Sequence, residues 1–312
     1  MSARSVGVGA MFGWIPATFR VVSRNFGAMA LATTLTLLLG VLMALPMVLV
    51  MFNSMPGLGS PGVPPPADLR MFWIAYALTI VVGMVLMPPV MAGWFRLCRA
   101  ADHGARPSGL VVIEPYRDGA TWGRLLVYAL LAMLMYLLAL ALIFLAFRGV
   151  FMEIMTMQAA QMAGGTPPPP SAAMIGKILL MYVVLLPTMM LLQFVYMVGL
   201  AEVSLRPTPA LRAFLDAWQA VLRNALKLLL LVFCLFVGFG AVIGIFAVVI
   251  ALLAVALSLI SPVLTGVVIA LLYVAVLLVV YPLMFAGNYY AWKDLLGDGG
   301  APPPPVPEAF AA

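Results

Sequence analysis

Hydrophobic positions run almost without interruption along this chain, lacking both the two-residue alternation of strands and the three-to-four-residue spacing of surface helices. No charge falls within residues 25–67, and none within the 65 residues 228–292. A bilayer crossing takes about 20 apolar residues. The pattern therefore predicts six spans, at 26–52, 71–95, 125–147, 178–200, 228–258 and 263–290. Pro88-Pro89 is expected to kink or end the second span, Pro187 lies inside the fourth, and Ser261-Pro262 divides the last two. Continuous runs favour helices, because each helix satisfies its own backbone hydrogen bonds in lipid.

The segments leading into the spans are patterned differently. In 12–24, Phe12, Ile15, Phe19 and Val22 recur at helical spacing, while Arg20 and Arg24 share another face. In 211–223, Leu211, Phe214, Leu215, Trp218 and Leu222 form the apolar face, with Arg212, Asp216 and Arg223 elsewhere. Both segments also belong to an internal repeat. Phe19-Arg20-Val21-Val22-Ser23-Arg24-Asn25 and Trp218-Gln219-Ala220-Val221-Leu222-Arg223-Asn224 each read aromatic, five residues, Asn, with Arg before the Asn. Two helices on, Pro88 to Gly93 and Pro282 to Gly287 both read Pro-x-x-x-Ala-Gly. Tyr116-Arg117 and Trp122-Gly123 form a weaker middle copy. The expected fold is an all-α membrane protein of six transmembrane helices arranged as three hairpins, with amphipathic interfacial helices leading in. The hairpins cover about 12–100, 110–200 and 209–295 of a single membrane domain, 1–296, followed by a proline-rich tail, 297–312. All copies share one orientation, unlike the inverted repeats of many transporters.

Composition narrows the picture. The chain of 312 residues is 65% hydrophobic and 8% charged, against about 25% charged in a soluble domain. That excludes a soluble enzyme, a disordered tail and a disulfide scaffold. The net charge of +6 does not point to nucleic acid in so apolar a chain, because basic residues there set orientation. Of the 16 Lys and Arg, all but Arg70, Arg148 and Lys177 fall on one side of the predicted spans, which puts both termini in the cytoplasm. The first apolar run is too long for a secretory signal and reads as an uncleaved span. The longer outside loops, 53–66 and 164–170, and the tail at 302–307 are rich in Pro and Gly and read as extended, solvated chain. Cys98, in a basic loop, and Cys234, in an apolar run, are not expected to pair.

Candidate chemistry is sparse. His103 is the single histidine; Asp102-His103 is half of an acid–base site at most and reads better as solvated loop. No nucleophile elbow, zinc signature, phosphate loop or dinucleotide fingerprint is present. Met152, Met155, Met157 and Met162 cluster outside; thioethers suit Cu(I), but an amphipathic interfacial stretch explains them better. No span has a charge near its centre, which argues against proton relays and ion pumps. Tyr182, Gln193 and Tyr196 share a face of the fourth span, as a polar path or as interhelical contacts. Gly240, Gly244, Ala247, Ala251 and Ser258, with Gly266 and Ala270, form a small-residue stripe expected to pack within the last hairpin. No cofactor or metal is expected.

The aromatic-x5-Asn and Pro-x-x-x-Ala-Gly motifs, with Phe95-Arg96-Leu97-Cys98-Arg99-Ala100-Ala101-Asp102-His103-Gly104, resemble those of uncharacterised six-helix inner-membrane proteins of proteobacteria. More distantly, the chain is similar to the membrane domain found beside glycerophosphodiester phosphodiesterases. The resemblance covers roughly 12–295 and implies architecture without catalytic residues. The expected function is a non-enzymatic inner-membrane protein that organises lipid or a protein partner at its cytoplasmic loops. Arg20, Arg24, Arg212, Arg223 and Lys227 would contact anionic headgroups while Phe19 and Trp218 set depth; plain anchoring by aromatics and arginine explains the same residues. The alternative is a transporter or channel for an uncharged or amphipathic solute.

Overall fold

The computed structural model describes residues 3–54, 69–162 and 171–297. The proline-rich loop segments 55–68 and 163–170, and the tail from 298, lie outside the described residues. The described chain is all helical. In order it forms α1 (Val8–Arg24), α2 (Phe26–Ser54), α3 (Leu69–Asp102), a 3-10 segment η1 (Gly109–Tyr116), α4 (Gly119–Ala146), α5 (Arg148–Met162), α6 (Ala172–Leu205), α7 (Ala210–Arg223), α8 (Ala225–Ser258) and α9 (Pro262–Leu295). Five helices are long and apolar enough to cross a membrane, and up to six when Ala210–Arg223 and Ala225–Gly238, bent by 74°, count as one span.

The repeated Asn is a hinge. Asn25 and Asn224 sit at the C-caps of α1 and α7 with nearly the same backbone, φ −124°, ψ 27° and φ −116°, ψ 10°. Each side chain donates Nδ2–H to the carbonyl four residues back, Val21 at 3.1 Å and Ala220 at 2.8 Å. Each thereby satisfies one of the carbonyls a helix end leaves unpaired, and a new helix starts at once in another direction. The middle copy is built otherwise: η1 replaces an α-helix, and Asp118 caps α4 by accepting from the Thr121 amide at 3.2 Å.

Prolines do not end α3 or α9: of the kink or end expected at Pro88-Pro89, the end is absent. Both helices run on, to Asp102 and Leu295, with Pro88, Pro89 and Pro282 inside them. The Tyr116 hydroxyl of η1 donates to the Leu86 carbonyl next to the proline pair, tying η1 to this stretch of α3. α3 stops two turns beyond its predicted end, where Gly104 adopts φ +80°. The Gly104 amide donates to Ala101 and the Ala105 amide to Ala100, a Schellman close.

α3, α6 and α9 touch one another, and α2, α4 and α8 contact α3, α6 and α9 respectively. The tight core occupies only one end of the bundle, around Trp94, Phe95, Leu97, Met197, Leu200, Phe285 and Tyr289. Trp94 stacks on Phe285 at 4.9 Å and donates Nε1–H to Thr36 at 3.0 Å, joining α9, α3 and α2. Ser204 donates to the Ala92 carbonyl at 2.7 Å, joining α6 to α3. Towards the other end, side chains such as Leu252, Leu259 and Val263 are more than half exposed, an apolar surface that needs lipid around it. The small-residue stripe lies here too, and it is not packed inside the hairpin: nothing approaches a Cβ built on Gly240, Gly244 or Gly266. Cys98 is fully buried inside α3, not in a loop, and Cys234 is exposed; both thiols are free.

Candidate functional site

Many of the charged side chains gather at the well-packed end. Arg99 and Arg124 donate to the Leu205 and Arg206 carbonyls at 3.0 and 3.2 Å, neutralising the negative end of α6. Two carboxylates there serve α9. Glu202, 4% exposed, accepts from Trp292 Nε1 at 2.8 Å, Thr208 Oγ1 at 3.0 Å and Arg206 Nη1 at 3.3 Å. Arg206 also lies over the Trp292 ring, 5.3 Å from its centroid. Asp102 accepts from Lys293 Nζ at 2.6 Å, Tyr290 at 2.7 Å and Tyr289 at 3.1 Å. A third, Asp294, accepts from Trp14 Nε1 of α1 at 2.7 Å. The last two turns of α9 are thus bolted to α3, α6 and α1.

Asp102 and His103, adjacent in sequence, do not form an acid–base pair. The ring Nδ1 of His103 meets the Arg99 carbonyl at 2.7 Å while Asp102 turns to α9. Among the described residues, no three His, Cys, Asp or Glu side chains come together as a metal site would require. Outside the spans, the Thr121 hydroxyl and amide hold the Asp118 carboxyl below the ordinary range, with Arg96 adding to the effect. Burial raises Glu114, against the pull of Arg96 and Arg117.

The sequence-predicted cations separate into two sets. Arg223 and Lys227 are turned onto the N-terminal segment: Arg223 donates to the Ala3 carbonyl at 2.7 Å, and Lys227 to Ser5 Oγ at 3.0 Å and the Val6 carbonyl at 2.8 Å. Asn224 completes that clamp, accepting from the Val6 amide at 2.9 Å and donating to the Arg4 carbonyl at 2.8 Å. Arg212 is exposed and pairs with Asp216 at 3.9 Å. Trp218 is half buried against Phe214, ring centroids 6.4 Å apart. Arg20 and Arg24 are exposed, and among the described residues neither has a side-chain hydrogen bond or ion pair.

The polar face of α6 is divided among neighbours. Gln193 accepts from Tyr136 of α4 at 2.9 Å, Tyr196 points its hydroxyl at the Met91 sulfur of α3 at 3.4 Å, and Tyr182 is exposed. None of the three lines an apolar cavity found elsewhere in the bundle. That cavity, about 350 Å³, lies between α1, α6, α8 and α9, within the range of small-molecule sites. Its wall is almost wholly apolar: Met11, Ile15 and Phe19 of α1, Phe194 of α6, Leu231 and Leu235 of α8, and Leu283, Met284 and Gly287 of α9. Three polar side chains also reach it: Trp14 and Asn288, whose N–H groups donate to Asp294 and the Met284 carbonyl, and Thr18. Thr18 is 6% exposed, and its Oγ1 has no hydrogen-bond partner.

Three features escaped sequence reasoning: the acceptor roles of Glu202, Asp102 and Asp294, the clamp on residues 3–6, and the cavity. Only the repeated Asn carries a signal in the sequence, as the fixed position of the aromatic-x5-Asn motif. Compared with known proteins, the chain matches no family model, no curated protein and no solved structure.

Proposed function

We propose that this is a multi-pass protein of a bacterial inner membrane, with both termini cytoplasmic, that organises anionic lipid at its cation-rich face and performs no chemistry of its own. In this reading six spans form three hairpins, and α1 and α7 lie in the headgroup plane. One observation carries it. Arg99, Arg124, Arg206, Arg223 and Lys227 are engaged with the protein's own carbonyls, whereas Arg20 and Arg24 of α1 are not. Those two stand beside Phe12 and Phe19, which are exposed by 36% and 47%. A helix with outward aromatics and uncommitted cations suits an interface, where rings enter the acyl boundary and guanidiniums meet phosphate. On α7, Leu211, Leu215 and Leu222 are likewise half exposed, with Arg212 beside them. The segment behind them, Ala210, Ala213, Ala217, Ala220 and Val221, is buried.

The test is lipid selectivity of the full chain in nanodiscs of phosphatidylglycerol and phosphatidylcholine. Each basic residue near an anionic surface contributes about 1 kcal/mol. Replacing both Arg20 and Arg24 by Gln is therefore expected to weaken phosphatidylglycerol enrichment about 30-fold. Unchanged enrichment refutes the reading.

A further inference from the structure

The second helices of the three hairpins, α3, α6 and α9, are each 34 residues long. Each has a glycine six to nine residues before its cation-rich end, roughly 9–14 Å along the axis. In two of them the chain itself fills the notch. A Cβ on Gly93 would lie 2.3 Å from the Val112 carbonyl oxygen of η1, and one on Gly199 would lie 2.2 Å from the Tyr128 hydroxyl of α4. At Gly287 no segment fills the notch. The nearest atom to its Cβ position is the Thr18 hydroxyl, at 3.8 Å, and the apolar cavity opens there.

Thr18 is also unusual among the helical threonines. Thr33, Thr34, Thr36, Thr79, Thr188 and Thr265 each donate to the carbonyl four residues back, the common solution for a hydroxyl without water. Thr18 does not, although it is buried at 6% exposure and its hydroxyl meets no partner. An unpaired buried hydroxyl is unfavourable, and no acceptor of the protein meets this one. The missing partner must also suit an apolar wall on four helices and a rim that includes the half-exposed Phe19 and Met284.

We propose that this cavity seats one acyl chain of a membrane phospholipid, the chain lying against Gly287 and the Thr18 hydroxyl donating to its ester carbonyl. The site rests on the interfacial placement of α1 argued above. There the acyl–headgroup boundary brings ester oxygens to the depth of a helix lying in the interface, and Arg20 and Arg24 stand one and five residues beyond Phe19 for the phosphate. A free fatty acid would offer the same chain but no ester, and a carboxylate in its place.

Photolabelling tests this. The full-length protein in phosphatidylcholine nanodiscs receives trace phosphatidylglycerol, or in a parallel arm phosphatidylcholine, carrying a diazirine in one acyl chain. Label is expected on peptides covering 11–19, 231–235 and 280–288. Gly287→Leu, which fills the notch, is expected to cut it about tenfold, and Thr18→Val about fivefold, the loss of one net hydrogen bond. Thr18→Ser restores it, which a general packing defect would not allow, and the Thr18 series stands even if Gly287→Leu fails to fold. Label spread evenly over lipid-facing peptides of α2, α4 and α8, or unchanged by both Gly287→Leu and Thr18→Val, overturns the proposal. So does displacement by oleate but not by unlabelled phospholipid. The headgroup reading fails separately: equal labelling by the two lipids, unaffected by Arg20→Gln and Arg24→Gln, removes the preference for anionic lipid but leaves the chain site standing.

Discussion

Gly93 and Gly287 occupy the same place in the repeated Pro-x-x-x-Ala-Gly motif, yet replacing each by alanine is expected to move stability in opposite directions. Alanine in a helix gains about 0.5–1 kcal/mol over glycine at either position. At Gly287 the new methyl meets only the Thr18 hydroxyl at 3.8 Å, an ordinary contact, so the gain survives and Gly287→Ala is expected to stabilise by up to about 1 kcal/mol. At Gly93 the methyl lands 2.3 Å from the Val112 oxygen and 2.4 Å from its Cα. These are backbone atoms of η1, which itself leans on α2 through Gly109, where a Cβ would lie 2.4 Å from the Ala28 carbonyl oxygen. Nothing in that stack yields by rotating a side chain, so the overpacking cost of about 1–3 kcal/mol exceeds the helix gain. Gly93→Ala is expected to destabilise by about 1–2 kcal/mol net. The assay is the unfolding midpoint of the purified protein in mixed micelles titrated with SDS, read by tryptophan fluorescence. Equal shifts of the same sign would show that the contact with η1 does not set the requirement for glycine.

Arg206→Met leaves the Glu202 carboxylate with Trp292 and Thr208 but no cation, and breaking a buried pair in this way is expected to cost about 3–5 kcal/mol, seen in the same titration. Asn224→Ala removes contacts to Val6, Arg4 and Ala220, whereas Asn25→Ala removes one to Val21. The former is expected to free the N-terminal segment, so that trypsin cuts at Arg4 at least several-fold faster than in wild type or Asn25→Ala. Asp118 is depressed in the folded state, so its cap contributes fully above the ordinary carboxylate range and is lost as pH falls through the lowered value, below about pH 4. Asp118→Ala is expected to cost about 1 kcal/mol at neutral pH and to flatten that acid-side loss; an unchanged pH profile would refute the cap.

That the chain forms long apolar helices could be read from residue order alone because lipid imposes a one-dimensional rule: a helix must stay apolar for the thickness of the bilayer and close its own hydrogen bonds. The same rule explains why the predicted ends fell short. The apolar runs close at Phe95 and Leu200 where polar residues begin, but the helices continue to Asp102 and Leu205 because tertiary partners receive those polar groups. The aromatic-x5-Asn repeat was visible as a pattern, and its meaning as a helix-ending hinge required the shared cap geometry of Asn25 and Asn224.

Which cations stay uncommitted was decided only in three dimensions. Arg24 and Arg223 match in the repeat, yet Arg223 closes on Ala3, 220 residues away, and Arg24 has no such partner. Glu202 meets Trp292 across 90 residues and Asp102 meets Tyr289 across 187, separations at which no local periodicity carries information. The cavity is hidden for a related reason: its wall comes from four helices whose apolar residues look alike in sequence, since every face of such a helix is hydrophobic. Hydrophobicity determined that the chain enters a membrane. Close fit at glycines and the pairing of a few buried polar groups decided how the helices meet and where a gap was left between them.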